Sequence, residues 1–304
     1  MKRHLIKYVL LIIVLASGAI YGISTQYGPW SIGIYEGPTP FNLANPVDIT
    51  NPVIGGKDVI GMDGRFVADP FILEKRGKLF MFFEVMNRET NQGDIGYAES
   101  SDGTHWKYGK IVIDEPFHLS YPYVFEWNKE VYLIPESHQN LAVPVYKAAS
   151  FPEGWKYVGN IIEGQPFVDP TLFRYNDTWW LFVSFPQNDT LHLYYSDDLL
   201  KGWKPHPMNP IVKSDKHFAR PAGKVIHYDG TFYRFAQDDH PKYGTQVFAF
   251  EIELLSKTTY VEKLASDKPI VKGSGVGWNA AGMHHVDMHK IKDKWIAAVD
   301  GRSR

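Results

Sequence analysis

Two Asp-Pro dipeptides in this sequence each introduce an apolar segment that ends in a polar residue. Asp69 stands 15 residues before Glu84, and Asp169 stands 15 residues before Ser184. Aspartate before proline is a common turn former, but its recurrence at equivalent positions, beside acids that close apolar segments, indicates a catalytic use. Carboxyl groups perform general acid and base chemistry when one is kept protonated and another ionised. Such chemistry requires a fold that brings these groups together.

The residues around the Asp-Pro dipeptides belong to a unit that occurs five times. Each copy reads as a turn, an apolar strand, a polar turn and a second apolar strand with a polar last residue. The copies cover Ala68–Glu84, Ser120–Glu136, Val168–Ser184, Ala219–Gln237 and His284–Asp300. Their middle turns contain pairs such as Asn-Asp and Asp-Gly, which are typical of β-hairpins.

A second hairpin follows each of the first three copies. These second hairpins place a tyrosine nine residues before a tryptophan, in the pairs Tyr97/Trp106, Tyr146/Trp155 and Tyr194/Trp203. Four antiparallel strands in a unit of about 50 residues, repeated around an axis, predict a β-propeller. We expect the three matched tryptophans to pack between blades rather than to bind sugar.

The fifth copy stops at Arg304, before its outer strands, and residues 30–50 resemble those missing strands. Gly33-Ile34-Tyr35-Glu36 is similar to Gly96-Tyr97-Ala98-Glu99 in the first unit. Pairing of these two ends would leave no open sheet edge. We therefore predict an all-β fold, a five-bladed β-propeller in which N-terminal strands complete the last blade, with residues 28–304 as one domain.

In such a propeller the start of each innermost strand and the end of the next strand lie at the same edge, so both should surround one axial mouth. We expect the residues that start the blades, and those that close the hairpins, to meet there. The starting residues are Asp69, Tyr121, Asp169, Arg220 and His285, with His284 beside it. The closing residues are Glu84, Glu136, Ser184, Gln237 and Asp300. Because neighbouring residues of a strand point to opposite faces, at most one of His284 and His285 should face the axis.

Composition excludes several classes of function. The chain of 304 residues has no cysteine, which excludes a disulfide scaffold, a thiolate metal site and a cysteine nucleophile. Lysine and arginine number 32 against 34 aspartates and glutamates, so there is no basic excess to bind nucleic acid.

The N-terminus is typical of an export signal. Lys2, Arg3 and Lys7 precede a nearly continuous apolar run from Tyr8 to Ile23. The run is slightly shorter than the roughly 17–25 residues of a membrane-spanning helix. We predict that residues 1–27 are a signal peptide or a signal-anchor helix. The propeller would then be extracytoplasmic, and it would be held at the membrane if the segment is not cleaved.

The five blades with Asp-Pro at the starts of blades one and three resemble glycoside hydrolase families 43 and 32. A closer resemblance is to the propeller at the N-terminus of the plant glucosamine inositolphosphorylceramide transferases and its free-standing bacterial relatives. The segments that show this resemblance are Trp30-Ser-Ile-Gly-Ile-Tyr, Phe66-Val-Ala-Asp-Pro-Phe and Tyr132-Leu-Ile-Pro-Glu-Ser.

The resemblance to family 43 implies an inverting hydrolase. In that family a blade-one aspartate is the general base, a blade-three aspartate tunes the pKa of the acid, and a glutamate at the start of blade four is the general acid. Asp69 and Asp169 match the first two, whereas Arg220 stands in the third position. A glutamate of another blade, Glu136 or Glu84, would then supply the proton, and we assign Glu136 to that role.

The resemblance also implies ligands. A histidine on the last blade supports a metal ion or acts as an acid in related propellers, so a structural Ca²⁺ at the axis is one expectation. Arg220 could hold an anionic group of the substrate or neutralise the carboxylates. We assign substrate contacts to Arg220, His285, Glu84, Tyr121, Asp300 and Gln237.

Two functions remain open from the sequence. The first is a carbohydrate-active enzyme of glycosidase type that hydrolyses or transfers a glycosyl residue. The second is a non-catalytic propeller that binds a carbohydrate or glycolipid and serves a glycosyltransferase or a polysaccharide assembly system.

Overall fold

A computed structural model describes residues 28–291 and 293–304 and has an all-β architecture. Its only helical elements are three single 3₁₀ turns, Gly56–Asp58, His138–Asn140 and Gly277–Asn279, within that described part. The predicted signal or anchor segment, residues 1–27, lies outside it. Among the described residues no helix has the length and apolar character needed to cross a bilayer.

The strands form five antiparallel sheets, as the five-fold repeat predicts. Strands β1 (Trp30–Thr39) and β2 (Asn42–Ala44) precede the first complete blade. Blade one contains β3 (Gly64–Lys75), β4 (Lys78–Asn87), β5 (Gly93–Ser100) and β6 (Lys107–Ile113). Blade two contains β7 (Ser120–Trp127), β8 (Glu130–Glu136), β9 (Ala142–Ser150) and β10 (Glu153–Glu163).

Blades three and four each add a short extra strand to the four. Blade three contains β11 (Val168–Tyr175), β12 (Thr178–Ser184), β13 (Thr190–Ser196), β14 (Lys204–Pro205) and β15 (Val212–Lys213). Blade four contains β16 (Ile226–Tyr228), β17 (Thr231–Asp238), β18 (Gln246–Leu255), β19 (Tyr260–Leu264) and β20 (Val271–Lys272).

The fifth blade joins the two ends of the propeller. The C-terminal strands β21 (Val286–Ile291) and β22 (Lys294–Arg302) lie in one sheet with the N-terminal pair, in the order β2-β1-β22-β21. The register between β1 and β22 runs from Trp30 opposite Arg302 to Gly37 opposite Trp295. The prediction that N-terminal strands complete the last blade is confirmed, and the closure pairs strand edges that would otherwise be open.

Aromatic and branched side chains fill the spaces between blades. Phe71, Phe82 and Leu172 are fully buried there, as strands with two buried faces require. The three matched tryptophans pack against these clusters, and the indole N–H of each donates to a carbonyl in the preceding turn. They act as packing residues, as expected from the sequence.

Candidate active site

The first strands of blades one, two and three share the same unusual backbone at the residue before proline. Asp69, Tyr121 and Asp169 have φ angles of 54°, 45° and 49°, in the left-handed region that non-glycine residues rarely adopt. Each precedes a proline, and at each the pairing with the next strand shifts register, as in a β-bulge. Strain of this kind costs about 1–3 kcal/mol per residue and concentrates at functional sites.

Hydrogen bonds pass from blade to blade around the axial mouth. The backbone N–H of Asp69 donates to Asp300 of blade five at 3.1 Å, and that of Tyr121 donates to Asp69 at 3.3 Å. The N–H of Asp169 donates to Glu136 of blade two at 3.1 Å. Each carboxylate therefore accepts the backbone N–H of a strained residue in a neighbouring blade. This hydrogen bond stabilises the bulge and holds the carboxylate in position.

Arg220 continues this ring from blade four to blade three. Its Nε lies 2.6 Å from Asp169 Oδ2, and Nη2 lies 3.3 Å from Asp169 Oδ1. Nη2 is also 3.6 Å from Glu136, and Nη1 donates to Asn188. Although burial alone would lower the pKa of Arg220, these carboxylates hold it well above its ordinary value. All three guanidinium nitrogens lie close to oxygen atoms of the protein, so the charge of Arg220 neutralises negative charge of the carboxylates.

Both histidines at the start of blade five face Asp69. His284 Nε2 and His285 Nδ1 each lie 3.9 Å from Asp69 Oδ1. Of the two, His284 lines the axial mouth, whereas His285 is fully buried behind it. Asp300 accepts the backbone N–H of both histidines and lies 2.8 Å from His284 Nδ1.

A cavity of about 330 Å³ opens at this mouth. Of the residues assigned from the sequence, the cavity is lined by Asp69, Glu84, Glu136 and Arg220, and by His284 beside His285. The four acids Asp69, Glu84, Glu136 and Asp169 come from three blades, and each has less than a tenth of its surface exposed.

The other assigned residues lie behind the cavity wall. Tyr121 is fully buried, and its hydroxyl bonds Thr171 and Gly223 between blades. Gln237 donates to Asp169 at 2.7 Å, and His285 Nε2 donates to the carbonyl of Pro70 at 3.1 Å. They also contact residues that line the cavity: the backbone N–H of Tyr121 donates to Asp69, that of Gln237 donates to the carbonyl of Arg220, and His285 lies 3.9 Å from Asp69, so their positions are supporting ones.

The acids of the mouth differ in the direction and size of their pKa shifts. Burial raises the pKa of Glu84 well above its ordinary range, and the neighbouring Asp69 and Glu136 raise it further. Burial likewise raises the pKa of Asp69, to about 6. Burial would also raise the pKa of Glu136, but the hydrogen bond with His138 and the charge of Arg220 outweigh it and lower the pKa to about 2. The surroundings thus favour the protonated form of Glu84 and the carboxylate form of Glu136.

This difference argues against Glu136, the residue assigned from sequence, as a proton donor. Sequence reasoning also missed two histidines that control these acids. His138 Nδ1 lies 2.8 Å from Glu136, and His118 Nε2 lies 3.6 Å from Glu84. Both histidines lie outside the repeated positions; the sole sequence signal was the placement of His138 two residues after a hairpin-closing acid.

The axial residues do not fit the expected Ca²⁺. Ligand atoms of Asp69, His284 and Asp300 lie within 4.8 Å of one another. Calcium takes six to eight oxygen ligands, whereas this group offers two carboxylates and an imidazole. Both oxygens of Asp300 already accept hydrogen bonds from backbone N–H groups. The group functions as a hydrogen-bonded network of the protein itself.

The fold is that of glycoside hydrolases of known structure. A glycosyl hydrolase from Bacteroides ovatus is similar with a TM-score of 0.66 and 12% identity over 91% of this chain and 93% of its own. The catalytic domain of the Coprinopsis cinerea GH62 α-L-arabinofuranosidase is similar with a TM-score of 0.63 and 13% identity over 90% of this chain and 97% of its own.

Similarity in sequence is higher to transferases. Glucosamine inositolphosphorylceramide transferase 1 of Arabidopsis thaliana is 36% identical over 300 residues, and that of Oryza sativa subsp. japonica is 35% identical over 301. The matches include 90% of this chain but 39% and 40% of these relatives, so the chain spans about two fifths of their length. Residues 24–302 match the family described as glucosamine inositolphosphorylceramide transferase 1, N-terminal, and the chain belongs to that family.

Proposed function

We propose that the axial mouth cleaves or transfers a glycosyl residue by general acid and base catalysis, with Glu84 as the acid and Asp69 as the base. The proposal rests on buried acids gathered at one mouth, where the surroundings raise the pKa of Glu84 well above its ordinary range and that of Asp69 to about 6. Environments that push the pKa values of neighbouring carboxyl groups apart are how glycosidases obtain an acid and a base from the same residue types.

In this reaction the glycosidic C–O bond breaks and its electron pair stays on the leaving oxygen, which takes the proton of Glu84. Asp69 removes a proton from the attacking water or acceptor hydroxyl, whose oxygen forms the new bond to the sugar carbon. A pKa of about 6 suits Asp69 to this role, because the group is ionised at neutral pH and still basic. We expect inversion at the sugar carbon, as the resemblance to family 43 implies.

The remaining residues support these two. The charge of Asp169 is one of those that raise the pKa of Glu84, which is consistent with its role as the residue that tunes the acid. Arg220 pairs with Asp169 and Glu136 and favours their ionised forms, although burial raises the pKa of Asp169 well above its ordinary value. The cavity volume lies within the range of small-molecule sites, which supports one bound sugar of a carbohydrate or glycolipid. We place this activity outside the cytoplasm.

The second candidate function is glycan binding without catalysis, in the service of a transferase. It is favoured by Arg220 at the start of blade four, where the related hydrolases place their acid, and by the transferase names of the relatives. In that case Asp69 and Glu84 would contact sugar hydroxyl groups.

A panel of aryl glycosides, extended to glycosylated inositolphosphorylceramide, separates the two functions. We expect the wild-type chain to release sugar, and Asp69→Asn and Glu84→Gln to bind it by calorimetry without releasing it. Proton NMR of the first-formed anomer tests inversion. If wild type and both variants bind a sugar equally and none turns it over, the proposed catalysis is refuted and the binding role is supported.

A further inference from the structure

His118 is held in one tautomer by the backbone of blade one. The N–H of Gly93 donates to His118 Nδ1 at 2.9 Å, so Nδ1 is an acceptor and the ring proton of the neutral imidazole is on Nε2. Burial lowers the pKa of His118, which favours the neutral ring. The N–H of Leu119 donates to the Gly93 carbonyl and that of His118 to Gln139, so the ring has a fixed position.

The protonated nitrogen of His118 faces Glu84. Nε2 lies 3.6 Å from Glu84 Oε1, longer than a direct hydrogen bond. Catalytic hydrogen bonds are often long in a free enzyme and shorten once charge develops on the acceptor. When Glu84 gives up its proton, Nε2–H is therefore placed to donate to the new carboxylate.

Gly93 makes this approach possible. A Cβ atom at this position would lie 2.4 Å from the carbonyl oxygen of Leu119, 2.7 Å from His118 Cε1 and 2.8 Å from Glu84 Oε1. Any larger residue would push the imidazole and the carboxyl group apart. Three segments, β4, β5 and the loop before β7, therefore meet around one contact.

The acids around Glu84 oppose its ionisation. The charges that act on it come from acids of four other strands, namely Asp69, Glu136, Asp169 and Asp300. All four oppose ionisation of Glu84 by repulsion, whereas a hydrogen bond donated by His118 Nε2, now 3.6 Å away, would favour the ionised form.

We propose that His118 is a positioning residue whose Nε2–H orients Glu84 and stabilises the carboxylate that remains after the acid has donated its proton. The inference rests on the acid role of Glu84 given above. His118 itself transfers no proton, because Gly93 occupies the lone pair of Nδ1 through which a second proton would arrive.

Three substitutions separate the donor from the rest of the ring. His118→Gln keeps an N–H near the position of Nε2, His118→Asn keeps an acceptor near the position of Nδ1, and His118→Phe keeps neither. The ionisation of Glu84 can be measured from the infrared carboxyl band that Glu84→Gln abolishes. We expect the pKa obtained in this way to rise by about one unit in His118→Phe and His118→Asn. His118→Gln should remain near wild type. His227→Phe, far from the mouth, is the matched control.

The titration needs no substrate, so it tests the role of His118 even if the chain proves inactive. Inactivity would refute only the proposed function. With an active substrate, the basic limb of the pH profile of kcat/KM should move by the same amount in the Phe and Asn variants. Nitrogen NMR of the wild-type chain should place the His118 proton on Nε2. A proton on Nδ1, or an unchanged Glu84 titration in His118→Phe and His118→Asn, would overturn the proposal.

Discussion

The indole ring of Trp30 lies flat against the imidazole ring of His284, with centroids 4.0 Å apart and planes 13° from parallel. Trp30 opens the first strand of the chain, and His284 precedes the last hairpin. The guanidinium of Arg302 also lies over the Trp30 ring, 5.0 Å from its centroid. The contact that closes the propeller therefore also orients a histidine of the mouth.

We predict that Trp30→Ala loses both stability and ligand binding. Removal of a buried aromatic side chain costs about 3–5 kcal/mol, and His284 would lose the surface that holds it against Asp300. Urea unfolding gives the first effect, and calorimetry with the sugar identified above gives the second. Trp127→Ala is the control, because Trp127 packs against Trp179 and Arg174 away from the mouth. It should lose stability and keep binding; equal losses of binding in both variants would contradict the link between closure and site.

Asp69→Asn should stabilise the protein at neutral pH. The folded pKa of Asp69 is raised to about 6 by burial, so the stability that the protonated group contributes is present below its unfolded pKa and is lost as pH rises through about 6. Asparagine removes this loss, which amounts to up to about 3 kcal/mol for a shift of two units. The midpoint of urea unfolding should thus be higher in the variant at pH 7 and equal to wild type at pH 4.

An aspartate with the opposite shift gives the control for this prediction. Backbone and side-chain hydrogen bonds from His105 lower the pKa of Asp102. Its ionised form stabilises the folded state above the unfolded pKa, so Asp102→Asn should be less stable than wild type at pH 7. A loss of stability at pH 7 in Asp69→Asn as well would show that Asp69 is stabilising as a carboxylate, contrary to our assignment.

Glu84→Gln and Glu136→Gln should differ in their dependence on the leaving group. Loss of a general acid lowers kcat by about 10²–10⁴-fold when the leaving oxygen is basic, and by much less when it leaves without a proton. We expect this pattern for Glu84→Gln with alkyl against nitrophenyl glycosides. Glu136→Gln should slow both substrates similarly, because it removes a buried charge that pairs with His138. The reverse pattern would assign the acid to Glu136.

Arg220→Met should destabilise the protein by about 3–5 kcal/mol, because it leaves Asp169 and Glu136 buried without their counter-charge. The additional change Asp169→Asn should restore much of the loss, since it removes the charge that Arg220 pairs at 2.6 Å. A double-mutant cycle by urea unfolding measures the coupling. Additive losses would mean that Arg220 stabilises the propeller through contacts other than Asp169.

The repeated positions predicted where side chains meet but not what each one does there. Asp69 and Tyr121 occupy equivalent positions with the same strained backbone, yet Asp69 lines the cavity and Tyr121 is buried between blades. Glu84 and Glu136 close equivalent hairpins, yet the pKa of Glu84 is raised and that of Glu136 is lowered. The difference comes from burial and the carboxylates around Glu84 and from His138 and Arg220 beside Glu136, none of which is set by the hairpin pattern around the two acids.

The sequence alone determined the five-bladed architecture, the closure by the N-terminal strands and the set of segments that reach the axis. Strand patterning and turn chemistry are local, and they recur at a readable period in five copies. The tertiary structure decided which carboxyl pKa values rise and which fall, that Arg220 is bound by protein acids, and that both His284 and His285 lie 3.9 Å from Asp69. These properties depend on burial and on charges brought together from distant segments, and burial and long-range charge arise only when the ring has closed.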